Sequence, residues 1–208
     1  MQWLDANRVV VRPKRLSFLM RAAALVLPRS FMSSFWTTVG RTIYVPEMAT
    51  FATIGLGLLV HEAFHVNEHV RRGWASRVTR MILYVSPQCL SIPLALLFLS
   101  LGMGFWSVMA AILLLPWPSP ARWREEADAV IASRVVIRRA GLEVHPTTTR
   151  LMLAYMAPII AGPGYLWASW SVAAVERRMV DAVERERATG STRIPRVDAF
   201  IRLLEVIR

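Results

Sequence analysis

Hydrophobic and polar positions change period several times along the chain. Residues 16–27, within "RLSFLMRAAALVLP", place apolar side chains at helical spacing between basic flanks, and Pro28 ends the run. This predicts an amphipathic N-terminal helix within residues 1–33, facing either a core or a membrane surface. The pattern then changes. "SFWTTVGRTIYVPE" (34–47) is rich in β-branched and aromatic residues, and Thr42-Ile43-Tyr44-Val45 reads as a short strand closed by Pro46. From 47 to 72, "EMATFATIGLGLLVHEAFHVNEHVRR" predicts one helix. Its first half is apolar all round and so buried, and Gly55 and Gly57 would permit close helix packing.

Residues 81–121 carry no charge at all, between Arg80 and Arg122. Pro87, Pro93, Gly102-Met103-Gly104 and Pro116-Trp117-Pro118 punctuate this run. A bilayer crossing takes about 20 apolar residues, so 94–115 is long enough to cross once. The glycines equally permit a helical hairpin whose arms are too short to cross. Residues 121–140, "ARWREEADAVIASRVVIRRA", predict a charged helix capped by Gly141. A loop at His145-Pro146-Thr147 leads to a second uncharged run, 151–175, interrupted by Pro158 and by "GPG" at 162–164. "VERRMVDAVERERATG" then predicts a solvated helix of mixed charge, and 196–208 a last short helix. The expected fold is mainly α with one short strand region, in a single domain of 208 residues. It divides into an N-terminal helix (1–33), a core (34–145) with the hydrophobic insertion 81–121, and C-terminal helices (146–208).

Charge narrows the partners. The formal net charge is +11, and Lys14 is the only lysine. Such a surplus suits nucleic acid or anionic lipid headgroups, and the long uncharged stretches favour lipid. No nucleic-acid motif, Gly-rich phosphate loop or nucleophile elbow is present, so specific nucleic-acid binding is not expected. The single Cys89 excludes an internal disulfide framework and a cysteine-rich metal site. No signal peptide is expected, because Arg21 breaks the N-terminal apolar run and no small-residue cleavage site follows. Arginine-rich clusters lie at 8–21, 71–80, 122–139 and 177–187. Positive-inside bias would put all of them on the cytoplasmic side, which requires paired or zero crossings. The expected location is therefore a membrane with the basic segments cytoplasmic, the alternatives being a soluble cytoplasmic protein or a virion component.

Three of the four histidines fall within residues 61–69, and His61-Glu62-Ala63-Phe64-His65 fits H-E-x-x-H. Residues i and i+4 lie one turn apart on one face, so two imidazoles can converge on one tetrahedral ion. Glu62 points to the flank, where it can take a proton from a metal-activated water. His69 lies two turns from His61, about 12 Å along a straight helix, too far to share the ion. A third ligand must come from elsewhere, and the dense candidate is "RWREEADAVIA" with Glu125, Glu126 and Asp128. The same acids would also complement a helix N-terminal dipole. Tyr155, His145 and Tyr44 are candidate donors to an oxyanion. The 42–45 strand is a candidate platform for an extended substrate.

"HEAFH" followed by a distant helix bearing a Glu resembles the gluzincin class of zinc metallopeptidases, whose third ligand is a Glu on a downstream helix. The order "TTVGRTIYVP … HEAFHV … LLLPWPSPARWREEADA", covering about residues 37–130, is also similar to small metallopeptidase-like proteins of bacteria and phages. In that looser pattern Arg122, Glu126 and Ala129 fall in register. The resemblance therefore implies a helical zincin-like domain, with a hydrophobic helical hairpin between the HExxH helix and the glutamate helix. It implies Zn2+ held by His61, His65 and Glu126, with Glu125 the alternative ligand. Glu62 would be the general base, and Asp128 would orient a zinc-bound histidine. Membrane-embedded zinc peptidases are a looser match. Their E-x-x-A-D register puts Arg124 four positions before Asp128, and an arginine cannot ligate a cation. The expected function is a zinc-dependent metallohydrolase acting on peptides or proteins. The alternative is a non-catalytic structural protein, membrane- or virion-associated, that retains a zincin-like helix.

Overall fold

The computed structural model describes residues 5–24, 31–33, 36–46, 55–85, 88–112, 118–143, 145–162, 165, 168–169 and 171–206. Among them the chain is mainly helical with one small sheet. The strands are β1 (Val10–Pro13), β2 (Thr37–Val39) and β3 (Thr42–Val45). The helices are α1 (Phe18–Ala23), α2 (Leu56–Val70), α3 (Trp74–Val85), α4 (Gln88–Ser100), α5 (Gly104–Ala111), α6 (Pro120–Arg139), α7 (Pro146–Ala161), α8 (Val172–Thr189) and α9 (Pro195–Val206). Parts of five expected elements lie outside the described residues: 25–27 of the N-terminal helix, 47–54 of the long helix, 86–87 and 113–117 of the first uncharged run, 163–164, 166–167 and 170 of the second, and 207–208 of the last helix.

The chain gathers into two compact units, each assembled from separated segments. One comprises Met1–Arg72, Asp128–His145 and Ala182–Arg208, and the other Gly73–Ala127 and Pro146–Asp181. Helices α6 and α8 run unbroken through the division.

In the first unit the sheet has the order β1-β3-β2, with β3 parallel to β1 and antiparallel to β2. Gly40, at φ +64°, takes the first position of the two-residue β2–β3 turn, where a left-handed residue matches the strand twist. The strand at 42–45 lies where the sequence places it, but it is the middle strand. Both its edges are paired, so it cannot accept a substrate strand. Among the described residues, β2 pairs on one side only. Behind the sheet, Phe64 of α2 is fully buried and meets Phe200 of α9 edge-on, ring centroids 5.5 Å apart. Gly57 lets α6 approach α2 closely. A Cβ there would stand 2.9 Å from Ile137 Cδ1, whereas one at Gly55 would meet nothing within 4 Å among the described residues.

Helix α9 is held by charge. Asp198 folds back onto Ser191 and Thr192, accepting hydrogen bonds from both hydroxyls and from the Thr192 N–H. Burial would raise the Asp198 pKa, but these bonds and the nearby Arg202 charge outweigh it and hold the carboxyl below its ordinary value. Two residues earlier, Arg196 donates from Nε to Asp128 Oδ2 at 2.6 Å, and its Nη1 lies 3.9 Å from Glu68. Asp128 is wholly buried and Glu68 nearly so. Removing the guanidinium would leave both acids without this charge. Arg196→Met should therefore lower unfolding free energy by about 3 kcal/mol, read from urea unfolding. The added change Asp128→Asn should recover part of that loss.

The second unit contains α3, the α4–α5 hairpin and α7. The chain reverses at Leu101-Gly102-Met103. Met103 N–H donates to Phe98 O (2.8 Å) and Gly102 N–H to Leu99 O (3.0 Å), with Gly102 at φ +71°. This is a Schellman turn, and glycine supplies its left-handed residue. Residues 88–111 of the uncharged run thus form a hairpin, and 94–112 are not one continuous helix. Among the described residues no helix is long and apolar enough to cross a membrane. The loop expected at 145–147 is shorter than read, because Pro146 opens α7, the position where a missing N–H is harmless.

Candidate metal centre

Helix α2 turns a polar stripe inward. His61, Glu62, Asn67 and Glu68 are all buried, among Val60, Ala63, Phe64 and Val66. Buried polar groups need partners, so each of these positions demands an account. Glu68 pairs with Arg72 at 2.6 Å, one turn on. Beyond it, His69 lies under the β2–β3 turn, with Nε2 3.6 Å from where a Cβ on Gly40 would sit.

His61 and His65 meet one turn apart. Their Nε2 atoms are 3.2 Å from each other, with ring centroids 4.9 Å apart and planes inclined at 69°. Two nitrogens bound at about 2.0–2.1 Å to one tetrahedral zinc ion would lie about 3.3 Å apart. The imidazole pair is therefore at ligand separation. His61 is buried and His65 half-buried.

The third group comes from α6. Residues 125–133 of this helix are all buried, and three of them are acids. Glu125 is taken by Arg80, which donates from Nε at 2.7 Å and from Nη2. Asp128 is taken by Arg196. One ligand atom from each of His61, His65 and Glu126 lies within 4.8 Å of the others. Glu126 precedes the division between the units by two residues, within the same continuous helix as Asp128. Of the two glutamates that the sequence leaves open, the structure brings Glu126 to the imidazole pair and gives Glu125 to an arginine. Asp128, expected to orient a ligating histidine, has an ion pair to α9 as its clearest contact.

Two imidazoles and a carboxylate are a donor set that zinc accepts, with one tetrahedral position left over. The spacing and burial fit such an ion, and the group can hold a metal.

Glu62 is buried beside His61, and its Oε2 accepts a 2.5 Å hydrogen bond from Thr38 Oγ1 on β2. The bond fixes the carboxylate against the edge strand. The Glu62 charge also acts on Lys14. This side chain is fully buried, donates from Nζ to Phe31 O at 2.6 Å and sits 3.6 Å over the Phe31 ring. Burial lowers its pKa from 10.5 to about 8, against the opposing pull of the Glu62 charge. Neither Thr38 nor Lys14 was expected from the motif, although a lone lysine among so many arginines was a legible signal.

The Lys14 shift has a sign in stability. Its folded pKa lies below the unfolded one, so the unfolded chain holds the proton more tightly. The penalty of burying the ammonium is complete below pH 8 and fades as pH rises towards 10.5. The native chain should gain roughly 3 kcal/mol across that window relative to Lys14→Met, compared by urea unfolding at matched pH. Parallel pH profiles for the two proteins would show that the ammonium is not desolvated.

His145 is exposed before α7, and Tyr155 is 68% exposed on that helix. Tyr44 is half-buried on β3. No protein-family model matches the chain, and no solved structure matches it significantly.

Proposed function

We propose that the protein is a zinc-dependent hydrolase acting on peptide bonds, with a gluzincin-like site. The observation that carries the reading is the convergence of His61, His65 and Glu126 with Glu62 held beside them. His61, His65 and Glu126 would hold the ion. Bound there, zinc would acidify water and polarise a carbonyl. Glu62 would take the proton of the attacking water and return it to the leaving amine. Thr38 would keep the Glu62 carboxylate turned to that task, by donating to the oxygen that is not receiving the proton. The outer edge of β2 supports an extended substrate better than β3 does. Its Thr38 already touches Glu62, so a strand added there would run past the general base.

The test is hydrolysis by the full chain of an unfolded protein or mixed peptides, with products read by mass spectrometry. Cleavage should depend on zinc, stop on chelation and return on re-addition. Full zinc occupancy without cleavage of any peptide would contradict the reading and leave a structural metal site.

A further inference from the structure

We infer that the α4–α5 hairpin inserts into one leaflet of an anionic lipid bilayer, as a monotopic anchor that does not cross. The inference stands apart from the metal site and needs no catalysis.

The hairpin displays apolar side chains that the fold leaves uncovered. Leu96, Leu97 and Leu99 of α4 and Phe105, Trp106 and Val108 of α5 are each 50–67% exposed. At 3.6 residues per turn, each triplet spreads over about 160° of its helix. A partner helix or groove covers a stripe. Exposure this wide on both arms suits a medium that surrounds them. Six large apolar side chains exposed on two adjacent short helices are clustered rather than scattered singly.

The polar groups of the hairpin also suit lipid, where an unmet hydrogen bond is costly. Ser100 Oγ donates to Leu97 O (2.7 Å), and Ser107 Oγ to Ala95 O across the two arms (3.0 Å). The turn donors Leu101, Gly102 and Met103 are all returned to carbonyls of α4. No charge occurs anywhere in residues 81–121.

Length sets the depth. The 13 residues of α4 extend about 20 Å and the 8 of α5 about 12 Å, against about 15 Å for half the hydrocarbon core. The arms reach into one leaflet and turn back. Charge selects the lipid. The unit carrying the hairpin has seven arginines and four acids, and the chain carries +11. Anionic headgroups complement that balance.

The experiment is flotation of the full chain with vesicles of phosphatidylcholine and phosphatidylglycerol (3:1), at low salt and at 1 M NaCl. The native protein should float and stay largely bound at high salt. Leu97→Glu combined with Phe105→Glu should lower partitioning by more than about tenfold, with the circular dichroism spectrum retained. A gentler variant guards against misfolding. Bromine-labelled acyl chains should quench native tryptophan fluorescence more than that of Trp106→Phe. Complete release by salt would overturn insertion and leave surface attraction alone. Equal flotation of the glutamate variant, or equal quenching of Trp106→Phe, would overturn it as well. So would a native protein that ignores vesicles but forms a dimer which the glutamate variant breaks, because the hairpin would then pack on a second copy.

Discussion

Glu62→Gln should leave zinc bound and reduce hydrolysis by about 10²–10⁴-fold, the range that a positioned general base supplies. The change is nearly isosteric, and the amide oxygen can still accept from Thr38 Oγ1, so the packing around His61 should hold. What would be lost is the basic carboxylate proposed to take the proton. Because the loss falls on proton transfer, kcat should drop while KM changes little. The barrier would rise by about 3–5 kcal/mol. Equal activity in the variant would remove Glu62 from the reaction, and loss of zinc would show that it binds the ion instead.

Glu126→Gln should weaken zinc binding by on the order of 10²–10³-fold. Structural zinc binding of about 10–16 kcal/mol, shared over four ligands, leaves about 2.5–4 kcal/mol for each. The amide keeps the shape of the side chain but removes the charge that complements the cation. Glu125→Gln is the matched comparison. It changes the same chemistry one residue away, yet Glu125 is held by Arg80. That variant should lose stability and retain its zinc affinity, both measurable by chelator competition and urea unfolding. Reversal of the two outcomes would exchange the roles of the two glutamates.

The part of this site that lies within one helix was legible from the residues. His61 and His65 are one turn apart in any α-helix, and β3 and the Gly141 cap were marked by local chemistry. The break at Gly102 was marked too, though the same residues also permitted a continuous crossing. The third group was less accessible, because neighbouring acids at 125 and 126 differ only by 100° of helix rotation. What distinguishes them is Arg80, 45 residues back, which holds Glu125, and the imidazoles on α2, with which Glu126 is grouped. Asp128 followed the same rule, its arginine lying 68 residues on. The parallel β1 strand, in an arginine-rich segment, was invisible for a related reason. Strand pairing is decided by the partner, and the partner here is β3. Lys14 stood out by composition, but its burial depends on long-range packing. Nor does any local signal reveal that the chain alternates between two units.

The most direct measurement is zinc content together with the zinc X-ray absorption spectrum of the full chain, in native form and as His65→Ala. The expected result is one zinc per native chain, with four nitrogen or oxygen neighbours at about 2.0–2.1 Å and imidazole scattering from two of them. In His65→Ala that ion should be lost. A native chain that takes up no zinc, or zinc bound equally well without His65, would contradict a metal centre built from α2 and α6.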